Sequence, residues 1–210
     1  MLTYLDHAAT VPLRPEVAAA MADVHAELLG NPTGSHPPAQ RARRLLEEAR
    51  DEVAAFLGRD PGQVVFTSGG TESANLAVLG TVDAALHERG EAVVLSSAVE
   101  HPAVRESCRA AARLGADAWE VPVDRAGVLD LDALARTLSS RVVLVAIMAA
   151  NNETGVVQPV ADVVAASRRR APRAAVFTDA VQAAPFLDLA LVTAGADLVS
   201  LSAHKVGGPV

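Results

Sequence analysis

The chain has 210 residues, half of them apolar and a fifth charged, a composition that supports a soluble globular fold with a sizeable core. Its net charge of -7 argues against a nucleic-acid surface, because phosphate binding needs clustered Lys and Arg. A lone cysteine, Cys108, excludes an internal disulfide, and the longest apolar run, Val142 to Ala150, is far too short to cross a membrane.

Met1 to His7 carries no charged segment leading into an apolar stretch, so no secretion signal is expected and the chain reads as cytoplasmic. Pro12, Pro15, Pro32, Pro37 and Pro38, with Gly30 and Gly34, divide the opening region into an arm, a helix from about Glu16 to Leu29, and a loop. In Ala39 to Leu57, Ala42, Leu45, Leu46, Ala49, Val53 and Phe56 recur at three- and four-residue steps, which predicts an amphipathic helix stopped by Gly58. Short β-rich runs follow at Val64–Thr67, Val93–Ser96, Val142–Met148, Ala175–Thr178 and Leu198–Leu201. Helical stretches lie between them: Ser73 to Arg89, Val104 to Leu114, Leu131 to Leu138 and Val160 to Arg170. Arg168, Arg169 and Arg170 read as a solvated helix end near the C-terminal dipole.

Short runs apolar on both sides, separated by helices, predict an α/β fold in three layers, a mostly parallel sheet with helices on both faces. Ligands of such sheets bind beyond the carboxyl ends of the strands. The first exit, Thr67-Ser68-Gly69-Gly70-Thr71-Glu72-Ser73, offers free backbone N–H groups and the Thr71 hydroxyl to an anion, or is a tight turn capped by Thr71 or Ser73. The second ends in Glu100-His101-Pro102, where His101 is either a helix cap or a catalytic group. The third, Asn151-Asn152-Glu153-Thr154-Gly155, could simply be a hydrogen-bonded turn. The fourth places Asp179 at the end of a buried strand, costly unless a cation meets it. The fifth is Ser202-Ala203-His204-Lys205, with a surface lysine as the plain alternative. Taken together, the exits supply what pyridoxal 5'-phosphate (PLP) requires: donors for a phosphate, an anion for a pyridine nitrogen and an amine for an aldehyde. No metal site is expected.

The same residues resemble a known family. Tyr4-Leu5-Asp6-His7-Ala8-Ala9-Thr10, Gly30-Asn31-Pro32, Phe66 to Ser73, Glu100-His101, Asn151 to Gln158, Asp179-Ala180-Val181-Gln182 and Ser202 to Lys205 follow the order found in cysteine desulfurases, which are class V aminotransferase-like, fold-type I PLP enzymes. Val181 stands where that family often has Thr or Ala. The resemblance implies that Lys205 is the Schiff-base lysine, that Asp179 pairs with the pyridine nitrogen, and that His101 stacks on the ring and assists proton transfers. It further implies that Gln182 and Asn152 bond the ring 3'-oxygen or substrate, and that Gly70, Thr71, Ser202 and His204 hold the phosphate. By the same resemblance, residues 1–15 form an arm that belongs to the small domain in full-length relatives. Residues 16–210 form the PLP-binding large domain, incomplete at its C-terminal end, so that the chain covers the N-terminal half of such enzymes.

The implied reaction converts L-cysteine to L-alanine and passes sulfur to an enzyme cysteine, for iron–sulfur cluster or thio-cofactor synthesis, with a homodimer and a sulfur-acceptor or scaffold protein as partners. Cys108 sits among helix residues and reads as a buried structural thiol rather than that nucleophile. Three alternatives stay open: a selenocysteine lyase, another class V enzyme, and a truncated chain that binds PLP without turnover.

Overall fold

The computed structural model describes residues 3–27 and 30–210. Five strands, β1 (Val93–Ser97), β2 (Asp117–Val121), β3 (Val142–Ala146), β4 (Ala175–Asp179) and β5 (Leu198–Ser200), form one sheet in the order β2-β1-β3-β4-β5. Every neighbouring pair is parallel, and Leu95, Val145 and Val176 lie side by side across the middle. Parallel strands need crossovers, which here are α4 (Pro102–Arg113), α5 (Leu131–Thr137), α6 (Val160–Arg170) and α7 (Leu189–Val192). Preceding the sheet come α1 (Pro15–Glu27), α2 (Pro37–Leu57) and α3 (Gly70–Arg89). The helix expected to reach Leu29 is described as far as Glu27; its last two residues, Leu28 and Leu29, lie outside the described residues.

Side chains alternate along each strand, so both sheet faces carry apolar groups and both are covered. On one face Val78, Val82, Val104 and Ala111 of α3 and α4 pack on Val94, Leu144 and Phe177. On the other, Leu134 of α5 and Val163 of α6 pack on Val93, Leu95, Val145 and Val176. A third cluster, with Leu57 of α2 and Leu189 of α7 against Ala149, Ala150, Ala180 and Ala183, lies at the carboxyl ends of β3 and β4. It anchors the two loops that leave those strands.

Three expectations differ from what is observed. The run Val64–Thr67 is extended, with Val64 at φ -84 and ψ 127, but it pairs with no strand among the described residues. A strand exists through its ladder, and an open groove of about 1040 Å³ separates this segment from β5 at the sheet border. Val65 and Phe66 are accordingly exposed, and the Arg50 guanidinium lies over the Phe66 ring. Conversely, β2 was not expected, because Asp117-Ala118-Trp119-Glu120-Val121 lacks a continuous apolar run. It needs none as an edge strand, and only Val121 is buried. Finally, Arg168 is not merely solvated: it holds both carboxylate oxygens of Asp197 and the carbonyls of Ala174 and Gly195, and Arg170 reaches the Ala135 carbonyl.

Candidate active site

The exits of β1, β3, β4 and β5, together with that of the unpaired run before α3, open into one cavity of about 500 Å³. Gly70, Thr71, His101, Asn152, Asp179, Gln182, Ser202, His204 and Lys205 all line it, joined by Asp6, Met148 and Glu153.

The α3 entrance is shaped by its own side chains. Gly69 caps the helix at φ 156, a backbone conformation that side-chain-bearing residues rarely adopt. The Thr67 hydroxyl contacts Ser73 Oγ at 2.8 Å, and hydrogen bonds from the Ser68 hydroxyl and from its N–H hold the Glu72 carboxyl below its ordinary pKa. Thr67 and Ser73 are thus consumed internally. Thr71 lines the cavity, and the first amides of a 20-residue helix open toward it with the positive end of the helix dipole.

His101 caps α4, its Nδ1 accepting the Ala103 N–H at 3.1 Å, and it also lines the cavity; the two sequence alternatives for this residue are therefore compatible. That bond leaves Nε2 as the nitrogen carrying the proton in the neutral ring. The adjacent asparagines divide. Asn151 is buried and builds the turn, accepting from Glu153 N, Thr154 N and Thr154 Oγ1 and donating to the Val99 carbonyl. Asn152 is half-buried and lines the cavity.

At the β4 exit Asp179 Oδ1 accepts from Ser200 Oγ at 2.9 Å and Val181 N at 3.0 Å. No hydrogen bond reaches its Oδ2 among the described residues. Nearby, Gln182 Oε1 is buried and without a hydrogen-bond partner among the described residues. The fifth exit is a single turn of 3-10 helix, Ala203–Lys205, in which Ser202 Oγ meets His204 Nδ1 at 2.8 Å. Lys205 Nζ donates to the carbonyls of Ala8 and Ala9, so the N-terminal arm closes over the amine. Val11 N to His204 O and Arg14 N to Gly207 O fasten the arm there, both at 3.0 Å. Burial lowers the Lys205 pKa from its ordinary value, against the carboxylates of Asp179 and Asp6, which act to raise it. Burial and the Lys205 charge lower that of His204. Lys205 is also the only lysine in the sequence.

The residues missed by sequence reasoning are Asp6, Met148 and Glu153 of the lining, and Glu100 behind it. Asp6 stands inside the Tyr4–Thr10 stretch, which was the available signal. Glu100 accepts from Ser97 Oγ at 2.5 Å and from the Met148 N–H at 2.7 Å, and burial pushes its pKa up to about 8.

Residues 3–210 match the aminotransferase class V family. The chain belongs to that family. Class V aminotransferase-like proteins are PLP-dependent. Among similar proteins, a cysteine desulfurase IscS of Dictyoglomus turgidum is 40% identical over 208 residues, covering 98% of this chain and 51% of that one. A mitochondrial cysteine desulfurase of Drosophila melanogaster is 39% identical over 207 residues, covering 98% and 44%. Of solved structures, a NifS-like protein superposes with a TM-score of 0.94 at 36% identity over 100% of this chain and 57% of the other. A structure of SspA in complex with cysteine superposes with a TM-score of 0.92 at 30% identity, over 99% and 59%. This class V chain therefore spans about half the length of the curated relatives it matches.

The cavity fits PLP on its own chemistry. It has an amine for an aldehyde, a buried carboxylate with one oxygen accepting no hydrogen bond among the described residues, a helix entrance with the Thr71 hydroxyl for a phosphate, and a buried amide oxygen at Gln182.

Proposed function

We propose that this chain is the cofactor-binding half of a PLP-dependent cysteine desulfurase, taking L-cysteine to L-alanine and passing the sulfur to a cysteine thiol. The observation that carries this reading is the convergence of the only lysine, the buried carboxylate of Asp179 and the α3 entrance on one cavity. The names of the relatives support the choice of substrate.

In this reading Lys205 would anchor the cofactor, Asp179 would pair with the pyridine nitrogen, and His101 would stack on the ring. Asn152 and Gln182 bond the 3'-oxygen or the substrate, and Gly70, Thr71, Ser202 and His204 hold the phosphate. Bound PLP supplies an electron sink for charge developing beside the substrate amine. The chain supplies the rest. Asp179, fixed by Ser200 and Val181, would keep a proton on the group it faces. Lys205 Nζ, its pKa lowered by burial, is suited to take a proton from the substrate carbon once released, and His101 Nε2 is a second proton carrier at the cavity wall. The carbonyls of the arm residues Ala8 and Ala9 hold Lys205 Nζ at the cavity.

The sulfur-accepting thiol comes from outside these 210 residues, because their single cysteine is buried and its pKa is pushed up to about 11 by desolvation. We further infer an arm over residues 1–15 and a large domain over 16–210, a homodimer, a sulfur-acceptor or scaffold protein serving iron–sulfur cluster assembly, and a cytoplasmic location. No helix among the described residues is long and apolar enough to cross a membrane.

The decisive experiment adds PLP to the purified chain and follows the visible absorbance of the bound cofactor, then traps it with borohydride and locates the added mass. Wild type is expected to carry the mass on Lys205, and Lys205→Ala to lose both signals. If Lys205→Ala and Asp179→Ala both keep the wild-type spectrum, the site assignment fails. Alanine released from cysteine in the presence of a thiol-bearing C-terminal half supports the desulfurase. A strong preference for selenocysteine would replace it with the lyase, and bound PLP with no alanine would replace it with a non-turning-over chain.

A further inference from the structure

We propose that Glu100 is the positioning residue of this site, fixing the His101 ring against the cavity by locking the exit of β1 to the exit of β3. The carboxyl stands immediately before His101 in a turn that starts at Ser97, and it is 3% exposed. Its Oε1 receives two hydrogen bonds at once, from Ser97 Oγ within the turn and from the backbone N–H of Met148 beyond β3. A second stitch, Asn151 Nδ2 to the Val99 carbonyl at 3.0 Å, runs in the opposite direction between the same two loops. Met148 and Asn152 on one loop and His101 on the other all line the cavity, so these two stitches set the spacing across it.

The second oxygen gives the arrangement its particular character. Glu100 Oε2 is buried and has no hydrogen-bond partner among the described residues. A carboxylate whose hydrogen-bond partners are neutral and whose other oxygen is buried among the protein's own atoms is poorly tolerated, whereas the neutral acid costs less to bury. Burial is the largest cause of its raised pKa, about 8, and the Asp179 charge acts in the same direction. The titratable groups that sense it are Asp179 at the β4 exit and Cys108 of α4, with His101 beside it in the chain. As the neutral acid, Glu100 holds both loops without placing a second charge beside Asp179. Once ionised it must draw water or swing outward, and the turn that carries His101 moves with it. The catalytic meaning of this lock rests on the reading of His101 as a group of a PLP site; the lock itself does not.

The test therefore needs no cofactor. The ring resonances of His101 are followed by NMR in the cofactor-free protein from pH 6 to 10, in wild type and in Glu100→Gln, which is isosteric with the neutral acid. The expected result is an inflection near pH 8 in wild type, the pH at which the carboxyl ionises, and its loss in Glu100→Gln. Curves without that inflection, or with it retained in the variant, would overturn the proposal. Should Glu100→Gln not fold, glutamate labelled with 13C at the carboxyl reads Glu100 directly in wild type. Its midpoint must then coincide with that of the His101 ring, and a separation of a full pH unit would count against the lock. Failure of the protein to bind PLP, with the His101 inflection intact, would remove the proposed function and leave this inference standing.

Discussion

At the level of single residues, the site is a set of polar groups that folding would reject unless each had a partner or a use. Asp179 gives the clearest case, since Ser200 and Val181 occupy only one of its oxygens. Asp179→Ala is expected to weaken PLP binding by about tenfold or more, the equivalent of roughly 1.4 kcal/mol, in an absorbance titration. It also strips the Ser200 hydroxyl and the Val181 amide of their acceptor, so stability should fall by about 1–3 kcal/mol in urea. Lys205 makes a kinetic prediction. Because burial lowers its pKa, the neutral, reactive amine persists to lower pH than on an exposed lysine, and trapping by an aldehyde should have its midpoint below the ordinary 10.5. Glu100 makes a stability prediction with a definite sign. Its native pKa of about 8 lies above the ordinary 4.5, so over that interval the folded protein keeps a proton that the unfolded chain releases. Its contribution is complete below pH 4.5 and is lost as pH rises to about 8, so wild type should lose stability across that window relative to Glu100→Gln. Much of this was legible in the chain, because most of the cavity residues lie within a few positions of the end of an apolar run. The division of labour between Asn151 and Asn152, and the burial of Glu100, were not, since identical or ordinary residue types carry no sign of which way they point.

At the level of elements, the sheet succeeds because each strand is apolar on both sides and each crossover helix has one face to bury. Phe177 on β4 is the largest fully buried side chain, 1% exposed, and it sits under the α3 and α4 layer. Phe177→Ala should cost about 3–5 kcal/mol by denaturant unfolding, from lost burial and the cavity left behind. Loss of PLP binding should follow, because Asp179 is two residues further along the same strand. The helix α2 was readable from periodicity, Ala-rich stretches marked the longer crossover helices, and α6 spans the Val160 to Arg170 stretch expected of it, whereas the four-residue α7 was not expected. Two strands were misread for one physical reason. A strand is defined by its neighbour, which composition does not contain: β2 pairs along one edge with mostly exposed side chains, whereas Val64–Thr67 has the composition of a strand and faces a groove instead.

Across the whole molecule the distribution of burial is uneven, and that unevenness should be measurable. The three central strands carry ladders on both sides, between layers that contain the largest buried residues. At the periphery α1 is exposed almost throughout, and Val65 and Phe66 stand open at the groove beside β5. Opening free energy follows such differences, from near zero at unpacked segments to the global value in the core. Hydrogen exchange should therefore rank the amides of Leu95, Leu144, Val145 and Phe177 slowest, and those of Val65, Phe66 and α1 fastest. Because the cavity is assembled from five separate exits, a ligand there stabilises the folded chain as a unit, by about 2.7 kcal/mol at a concentration of one hundred times its Kd. Added PLP should then slow exchange in two places together: at the exits, around Gly70 to Ser73, Val181 and Gln182, and Ser202 to Val206, and in the central strands, which open only with the whole molecule. Slowing confined to one exit would mean that the exits act separately, and the argument that they form one site would fail with it.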